Sequence, residues 1–477
     1  MLPPTSIKFG TDGWRAIIGE DYTFDNVRAC AASAALYLQR HGLAERGMVI
    51  GYDARFASED FADAAAEVVA GHGITVALSD AQCPTPVVSF SIIDRRAGGG
   101  IVITASHNPW RWNGFKYKPD YGGSASPEIV AELEAALPGL VGRRMPRVDI
   151  AAARRDGLVE VFDARSRYLA HLGGLVDLDR LRAAGLNVAY DAMYGTGAGY
   201  LGELLAGGSS RLTELHGDRN PVFPGMHAPE PIARNLHDLS SSMAAGAFDL
   251  GIATDGDADR VGIADERGRF INQLQVFALL AYYLLEVRGE RGAIVKSITT
   301  TRMVQKLGEL YGVPVHETAV GFKFVGPTMM ATDALIGGEE SGGYGFRGHV
   351  PERDGILAGL YMLDFMARTG KRPSELLAEL YDRVGPHYYD RIDITLRAED
   401  RDAIRRRAEE ARPDTIAGLR VTAIDTTDGF RFLLGDSGWL LLRFSGTEPL
   451  LRIYTEVAGD ESLVARILAA GREIVGA

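Results

Sequence analysis

Ser106 stands in Ile101-Val102-Ile103-Thr104-Ala105-Ser106-His107-Asn108-Pro109, where a β-branched run stops at a small, hydroxyl-bearing loop. Gly98 to Gly100 precede the run and Pro109 closes it, so a buried strand should deliver Ser106 to its carboxyl end. Open α/β sheets bind ligands at that edge. A serine there can close a turn beside Asn108. It can also carry a phosphoryl group, given a cation to neutralise phosphate and a group to manage the proton. A second loop offers the cation: strand 250–253 should end in Thr254-Asp255-Gly256-Asp257-Ala258-Asp259-Arg260, with three carboxylates at alternate positions. Oxygen ligands without His or Cys suit Mg2+ rather than zinc, although a solvated acidic turn would read the same way. Arg260 stands where an EF-hand loop needs its glycine, and the loop follows a strand rather than a helix, which excludes that calcium site.

These loops require a scaffold. The chain has 477 residues, 46% of them hydrophobic, enough for about three domains and room for a fourth. A net charge of −12 repels nucleic acid, so an anionic substrate must be met by locally clustered Arg and Lys. Cys30 and Cys83 lie far apart without metal-ligand spacing, which fits a reducing compartment and no disulfide framework. No export signal is visible, and the most apolar window, 276–285, is too short to cross a bilayer, so a cytoplasmic protein is expected.

Strand 7–9 is expected to run into Gly10-Thr11-Asp12-Gly13-Trp14-Arg15, a turn whose Arg15 could bind phosphate or pair with Asp12. Helix 24–40, strand 48–52 ending at Asp53-Ala54-Arg55, helix 59–72 and strand 74–78 follow, an alternation that predicts a parallel α/β sheet. The loop beyond Ser106 runs on to Lys116, which could balance phosphate charge or exchange a proton. A polar stretch at 138–147 is the first expected linker. A second α/β unit has helix 162–172, strand 186–190, a glycine-rich turn at 191–197 read as tight packing, and a proline-rich excursion at 218–231. Helix 276–287 and strand 293–297 begin a third unit, and a linker is expected near 371–373. Strands 392–396, 421–425, 430–434 and 439–444 belong to the last.

Thr104-Ala105-Ser106-His107-Asn108-Pro109 together with Asp255-Gly256-Asp257-Ala258-Asp259-Arg260 resembles the α-D-phosphohexomutase superfamily, the phosphoglucomutases and phosphomannomutases. The resemblance extends along essentially the whole chain. It implies three related α/β domains with mixed or parallel sheets (1–145, 155–265 and 266–375) and a smaller α+β domain (385–477) around a central cleft. It implies a phosphorylated Ser106 whose phosphate oxygen joins Asp255, Asp257 and Asp259 around Mg2+, with Lys116, Arg15 and His107 as further catalytic groups beside Arg260. Gly321-Phe322-Lys323 resembles a turn of glucose-preferring members, and Gly337-Gly338-Glu339-Glu340-Ser341-Gly342-Gly343 their sugar loop. Glu339, Ser341, Lys323 and Arg353 are the implied sugar-binding residues. Many relatives place His after Ser-Gly, where this chain has Gly343, so no proton role is assigned there and His349 is the nearest candidate imidazole. Arg443-Phe444-Ser445-Gly446-Thr447-Glu448-Pro449 resembles the phosphate loop, implying phosphate contacts from Arg443, Ser445, Gly446, Thr447 and Arg452. The implied substrate is a hexose phosphate, with a hexose 1,6-bisphosphate as activator and intermediate, acted on by a monomer or homodimer without nucleic-acid or membrane partners. Glucose phosphates are the expected substrates, mannose phosphates being further candidates; a phosphoglucosamine mutase and a Mg2+-dependent sugar-phosphate phosphatase are the alternatives.

Overall fold

The structure is a computed structural model that describes residues 7–10, 12–397, 399–445 and 450–476. Three α/β units and a fourth, mostly antiparallel unit follow one another along the chain. In the first sheet the strands lie in the order Trp14–Ile17, Trp112–Pro119, Gly99–Ile103, Met48–Tyr52, Val76–Ser79 and Val159–Phe162. The central strands are parallel, as the strand and helix alternation predicts, whereas Trp112–Pro119 turns back antiparallel against Gly99–Ile103. Lys116 therefore sits on a strand rather than in a loop, directly opposite Val102.

Two expectations for this unit are corrected. Residues 7–9 form no strand: the Phe9 N–H donates to the Glu134 carboxylate at 2.7 Å, and the sheet edge belongs to Trp14–Ile17. The first sheet also continues past the expected boundary at 145. After the short helix Ile150–Arg155, capped by the Asp149 side chain, the chain returns as Val159–Phe162 to pair with Val76–Ser79.

The second sheet runs Phe270–Ile271, Val261–Ala264, Leu250–Thr254, Asn187–Asp191, Arg211–Leu215, and so reaches beyond the expected limit at 265. The third consists of Val315–Thr318, Ile294–Ser297, Ile336–Gly338 and Tyr344–Phe346. One contiguous core joins the three units, and in it helix Gln273–Tyr282 buries nearly its whole surface. Each Leu or Phe it hides contributes about 1.5–3 kcal/mol. Helix Gly355–Thr369, capped by Asp354, packs in the same core, and Pro373 opens helix Pro373–Val384 where a linker was expected. The fourth unit, a five-stranded sheet of His387–Thr395, Leu450–Ala458, Gly438–Phe444, Phe430–Leu433 and Ala423–Asp425, has its own core. It meets the third unit through Trp439, Leu441, Tyr454 and Ile298.

His216 fastens the start of the proline-rich excursion, its Nδ1 lying 2.9 Å from Asp191 and its Nε2 3.3 Å from Asp238. The hydrogen bond to Asp191 raises its pKa above 6.5 against the opposing effect of burial. A raised folded value stabilises below the unfolded pKa and is lost as pH rises through the folded one. The wild-type thermal midpoint should therefore fall, from pH 6 upward, more steeply than that of His216→Gln. Parallel pH profiles of the two proteins would refute this assignment.

Candidate functional site

All four units line a cleft of about 1640 Å³. At its floor the strand Gly99–Ile103 ends and Ser106 takes a φ of +50°, a left-handed conformation unusual for a residue with a Cβ. The Ser106 N–H donates to Thr104 Oγ1 at 2.8 Å, and its Oγ donates to Asp255 Oδ2 at 2.8 Å while lying 3.1 Å from His107 Nδ1. The serine loop and the aspartate loop meet backbone to backbone. A Cβ on Gly256 would stand 2.5 Å from the Ser106 carbonyl oxygen, which only glycine allows.

Asp255, Asp257 and Asp259 are buried, and each presents a carboxylate oxygen within 4.8 Å of the others. Burial, then the charges of Asp259 and Asp257, push the Asp255 carboxyl well above its usual range. Asp257 moves the other way: burial opposes ionisation, but Lys116 outweighs it and holds the carboxyl below its usual value. Lys116 Nζ reaches Asp257 at 2.8 Å, Asp12 at 2.9 Å and Asp259 at 3.3 Å. Burial alone would lower the ammonium, yet these carboxylates raise it above the ordinary lysine value. Asp257 Oδ1 and Asp259 Oδ1 are buried without a hydrogen-bond partner among the described residues. Orphaned oxygens on converging carboxylates are what a hard divalent cation satisfies, so the residues present fit Mg2+.

The remaining cations ring this floor. Arg15 Nη1 donates to Asn108 Oδ1 at 2.8 Å, so its hydrogen bond goes to the serine loop rather than to Asp12. Arg260 faces Glu230 at 3.6 Å while its backbone N–H caps Asp255 Oδ1. Arg353 binds Asp12 at 2.5 Å and Asp259 at 2.8 Å, and lies 3.5 Å from Glu339. Burial and then Arg260, Arg15, Arg55 and Lys116 press the His107 imidazole well below its usual pKa, which keeps it neutral. At the opposite wall Glu339 is buried, with its pKa raised by that burial, and Ser341 Oγ is likewise buried without a hydrogen-bond partner among the described residues. Lys323 projects from the start of helix Phe322–Thr332 and donates to the Gly10 carbonyl at 3.3 Å. Arg443, Ser445 and Arg452 line the cleft from the fourth unit, Arg443 Nε donating to Asp428 at 3.0 Å. Gly446 and Thr447 lie outside the described residues.

His349 is the expectation the structure overturns. Its ring is fully buried outside the cleft, with Nε2 2.8 Å from Asp354 and Nδ1 3.0 Å from His171. Asp354 caps helix Gly355–Thr369 and holds the imidazole away, so His107 is the histidine beside the serine. A side chain at position 343 would have to displace Arg353, because a Cβ on Gly343 would fall 2.1 Å from Arg353 Cδ. Three site residues went unassigned in the sequence: Asp12 between Lys116 and Arg353, Thr85 donating to Asp257 Oδ2 at 2.6 Å, and Arg55 beneath the serine loop. Position supplied a signal for Arg55, which closely follows a parallel strand at its carboxyl end.

The chain matches four models of successive phosphoglucomutase/phosphomannomutase domains: α/β/α domain I over residues 6–139, domain II over 166–268, domain III over 272–384 and the C-terminal domain over 400–474. Fold and match define the class, an intramolecular phosphotransferase that isomerises a phosphorylated sugar. The chain belongs to the phosphoglucomutase/phosphomannomutase family of the α-D-phosphohexomutase superfamily. It is 31% identical to the phosphoglucomutase/phosphomannomutase of Thermococcus kodakarensis, aligned over 95% of each chain. It is 32% identical to the phosphoglucosamine mutase of Leifsonia xyli over 96% of each. Among solved structures, a phosphomannomutase-like protein of Thermus thermophilus superposes with a TM-score of 0.86 at 34% identity, covering all of both chains. No helix among the described residues is long and apolar enough to cross a membrane.

Proposed function

We propose that the protein interconverts glucose 1-phosphate and glucose 6-phosphate, and mannose phosphates more slowly, through a phosphorylated Ser106 and a hexose 1,6-bisphosphate. The observation that carries this is Ser106 Oγ at 2.8 Å from an aspartate whose two neighbouring carboxylates each keep an oxygen without a hydrogen-bond partner, among the described residues, beside a buried ammonium. In the first half-reaction the substrate phosphate docks on Arg443, Ser445 and Arg452, and its free hydroxyl faces the phosphoserine. The bond from phosphorus to Ser106 Oγ breaks as the bond to the sugar oxygen forms, the hydroxyl proton leaves to a base, and Ser106 Oγ keeps the bonding pair and takes up a proton in its place. His107, kept neutral by burial and its cationic neighbours, can accept that proton; Lys116, kept charged, stabilises the transferring group. When bound by Asp255, Asp257, Asp259 and the serine phosphate, Mg2+ supplies neutralisation of phosphoryl charge. The bisphosphate then turns over and returns its other phosphate to Ser106.

Glu339 and Ser341 suit hydroxyls at carbons 3 and 4, which glucose and mannose share, so these contacts leave carbon 2 undecided. What supports glucose is the Gly321-Phe322-Lys323 turn, with Lys323 on the cleft wall. Relatives named phosphoglucosamine mutase keep the amino sugar as a second reading. Turnover of glucose, mannose and glucosamine 1-phosphates, each with its bisphosphate primer and Mg2+, should be fastest for glucose. Preference for the amino sugar would transfer the assignment to a glucosamine phosphate, and phosphate release without isomerisation would replace the mutase by a phosphatase.

A further inference from the structure

Arg55 touches no part of the cleft, yet its guanidinium is committed on every side to the loop that carries Ser106 or to the carboxylate beneath it. Nη2 donates to the carbonyl oxygens of Ser106 and Asn108, both at 2.6 Å, and Nη1 to those of Pro109 and Trp112, both at 3.1 Å. Nε faces Asp53 Oδ2 at 3.2 Å, and the side chain is 1% exposed. Asp53 is fixed in turn by the Arg55 N–H at 2.9 Å and by Ser58 Oγ at 2.7 Å. From the second unit the proline-rich excursion closes the other face: the Phe223 ring lies 5.0 Å from the guanidinium, and Arg219 donates to the Ala54 and Arg55 carbonyls at 3.1 and 3.0 Å.

A backbone that turns left-handed at a serine persists only where its surroundings hold it. Four carbonyls gathered on one planar cation supply that hold, and a lysine ammonium, with three donors on a flexible stem, cannot reproduce the fan. We propose, on the reading of Ser106 as the phosphoryl carrier, that Arg55 is a positioning residue. It sets the direction of Ser106 Oγ, and the Phe223 face of the excursion makes that setting depend on the docking of the second unit. The predicted consequence is selective, because Arg55 is remote from the substrate-lining residues of the third and fourth units. Substrate affinity should survive its loss while the transfer step fails.

The test uses Arg55→Lys in the full chain. Expected are a kcat about 10²-fold lower with KM within about twofold, and faster amide exchange at residues 104–112, since an ångström of misplacement costs about that much in rate. Wild-type kcat, or a fall in thermal midpoint with kcat and loop exchange unchanged, overturns the proposal. Should Arg55→Lys fail to fold, Phe223→Leu carries the test. It keeps an apolar contact but removes the ring, and should lower kcat several-fold and loosen the same amides; no change in either overturns the proposal. Loop exchange is read without substrate. A wild-type protein inactive on every hexose phosphate would therefore count against the mutase reading alone.

Discussion

Ser106→Ala should lose mutase turnover by at least about 10³-fold while remaining folded. Among the described residues no other hydroxyl bonds Asp255 where the carboxylate triad and the Lys116 ammonium converge. The phosphoryl group would have no carrier, and two monophosphates could not exchange through a bisphosphate. Folding should survive, because alanine keeps the Cβ that already sits at a φ of +50° and Arg55 still holds the loop carbonyls. The deleted hydrogen bond leaves Asp255 Oδ2 without its donor, but burial and two acidic neighbours already favour protonation of that carboxyl. Two measurements decide the matter: isomerisation of glucose 1-phosphate with bisphosphate primer, and intact mass after incubation with the bisphosphate alone. Wild type should gain one phosphate and the variant none. Turnover in the variant within tenfold of wild type would remove Ser106 from the mechanism.

The serine loop and the aspartate triplet were legible because each is a local event, a β-branched run broken by small polar residues or by carboxylates at alternate positions. The parallel strands and most helices were legible for the same reason. What escaped depends on chain returning from afar. Thr85 meets Asp257 across 172 residues and Asp12 meets Arg353 across 341, and neither residue type announces its partner. The edge strand Val159–Phe162 is fixed by its pairing with Val76–Ser79, not by its own composition, so a boundary drawn at the polar stretch 138–147 fell short of it. His349 misled because proximity in sequence to Arg353, which does reach the site, implied proximity of the ring; the cap formed by Asp354 turns that ring into the core.

Lys116→Met separates the two jobs that a buried cation does here. Arg353 still answers Asp12 and Asp259 in the variant, but among the described residues Asp257 keeps only the Thr85 hydroxyl as a side-chain donor. Breaking a buried pair in this way costs about 3–5 kcal/mol, so without divalent cation the thermal midpoint should fall by several degrees. Acid sensitivity should change in a defined direction. Asp257 now titrates below its ordinary value, so its contribution is present above the unfolded carboxylate pKa and is lost only as pH falls through the depressed folded value. Without Lys116 burial dominates and the folded pKa rises above the unfolded one, so protonation of Asp257 then favours the folded state and the deficit of the variant relative to wild type should shrink as pH falls into the carboxylate range. A divalent cation can supply the missing charge to Asp257 and Asp259, and the ammonium no longer competes for their oxygens. Added Mg2+ should therefore raise the midpoint of Lys116→Met more than that of wild type. If Lys116 faces the transferring group as proposed, turnover should stay at least about 10²-fold low under the same Mg2+, because the metal replaces the charge on the carboxylates but not that ammonium. Equal midpoint gains in both proteins would show that Lys116 does not share the cation's ligands. Recovery of turnover with Mg2+ would show that the lysine serves the carboxylates and not the chemistry.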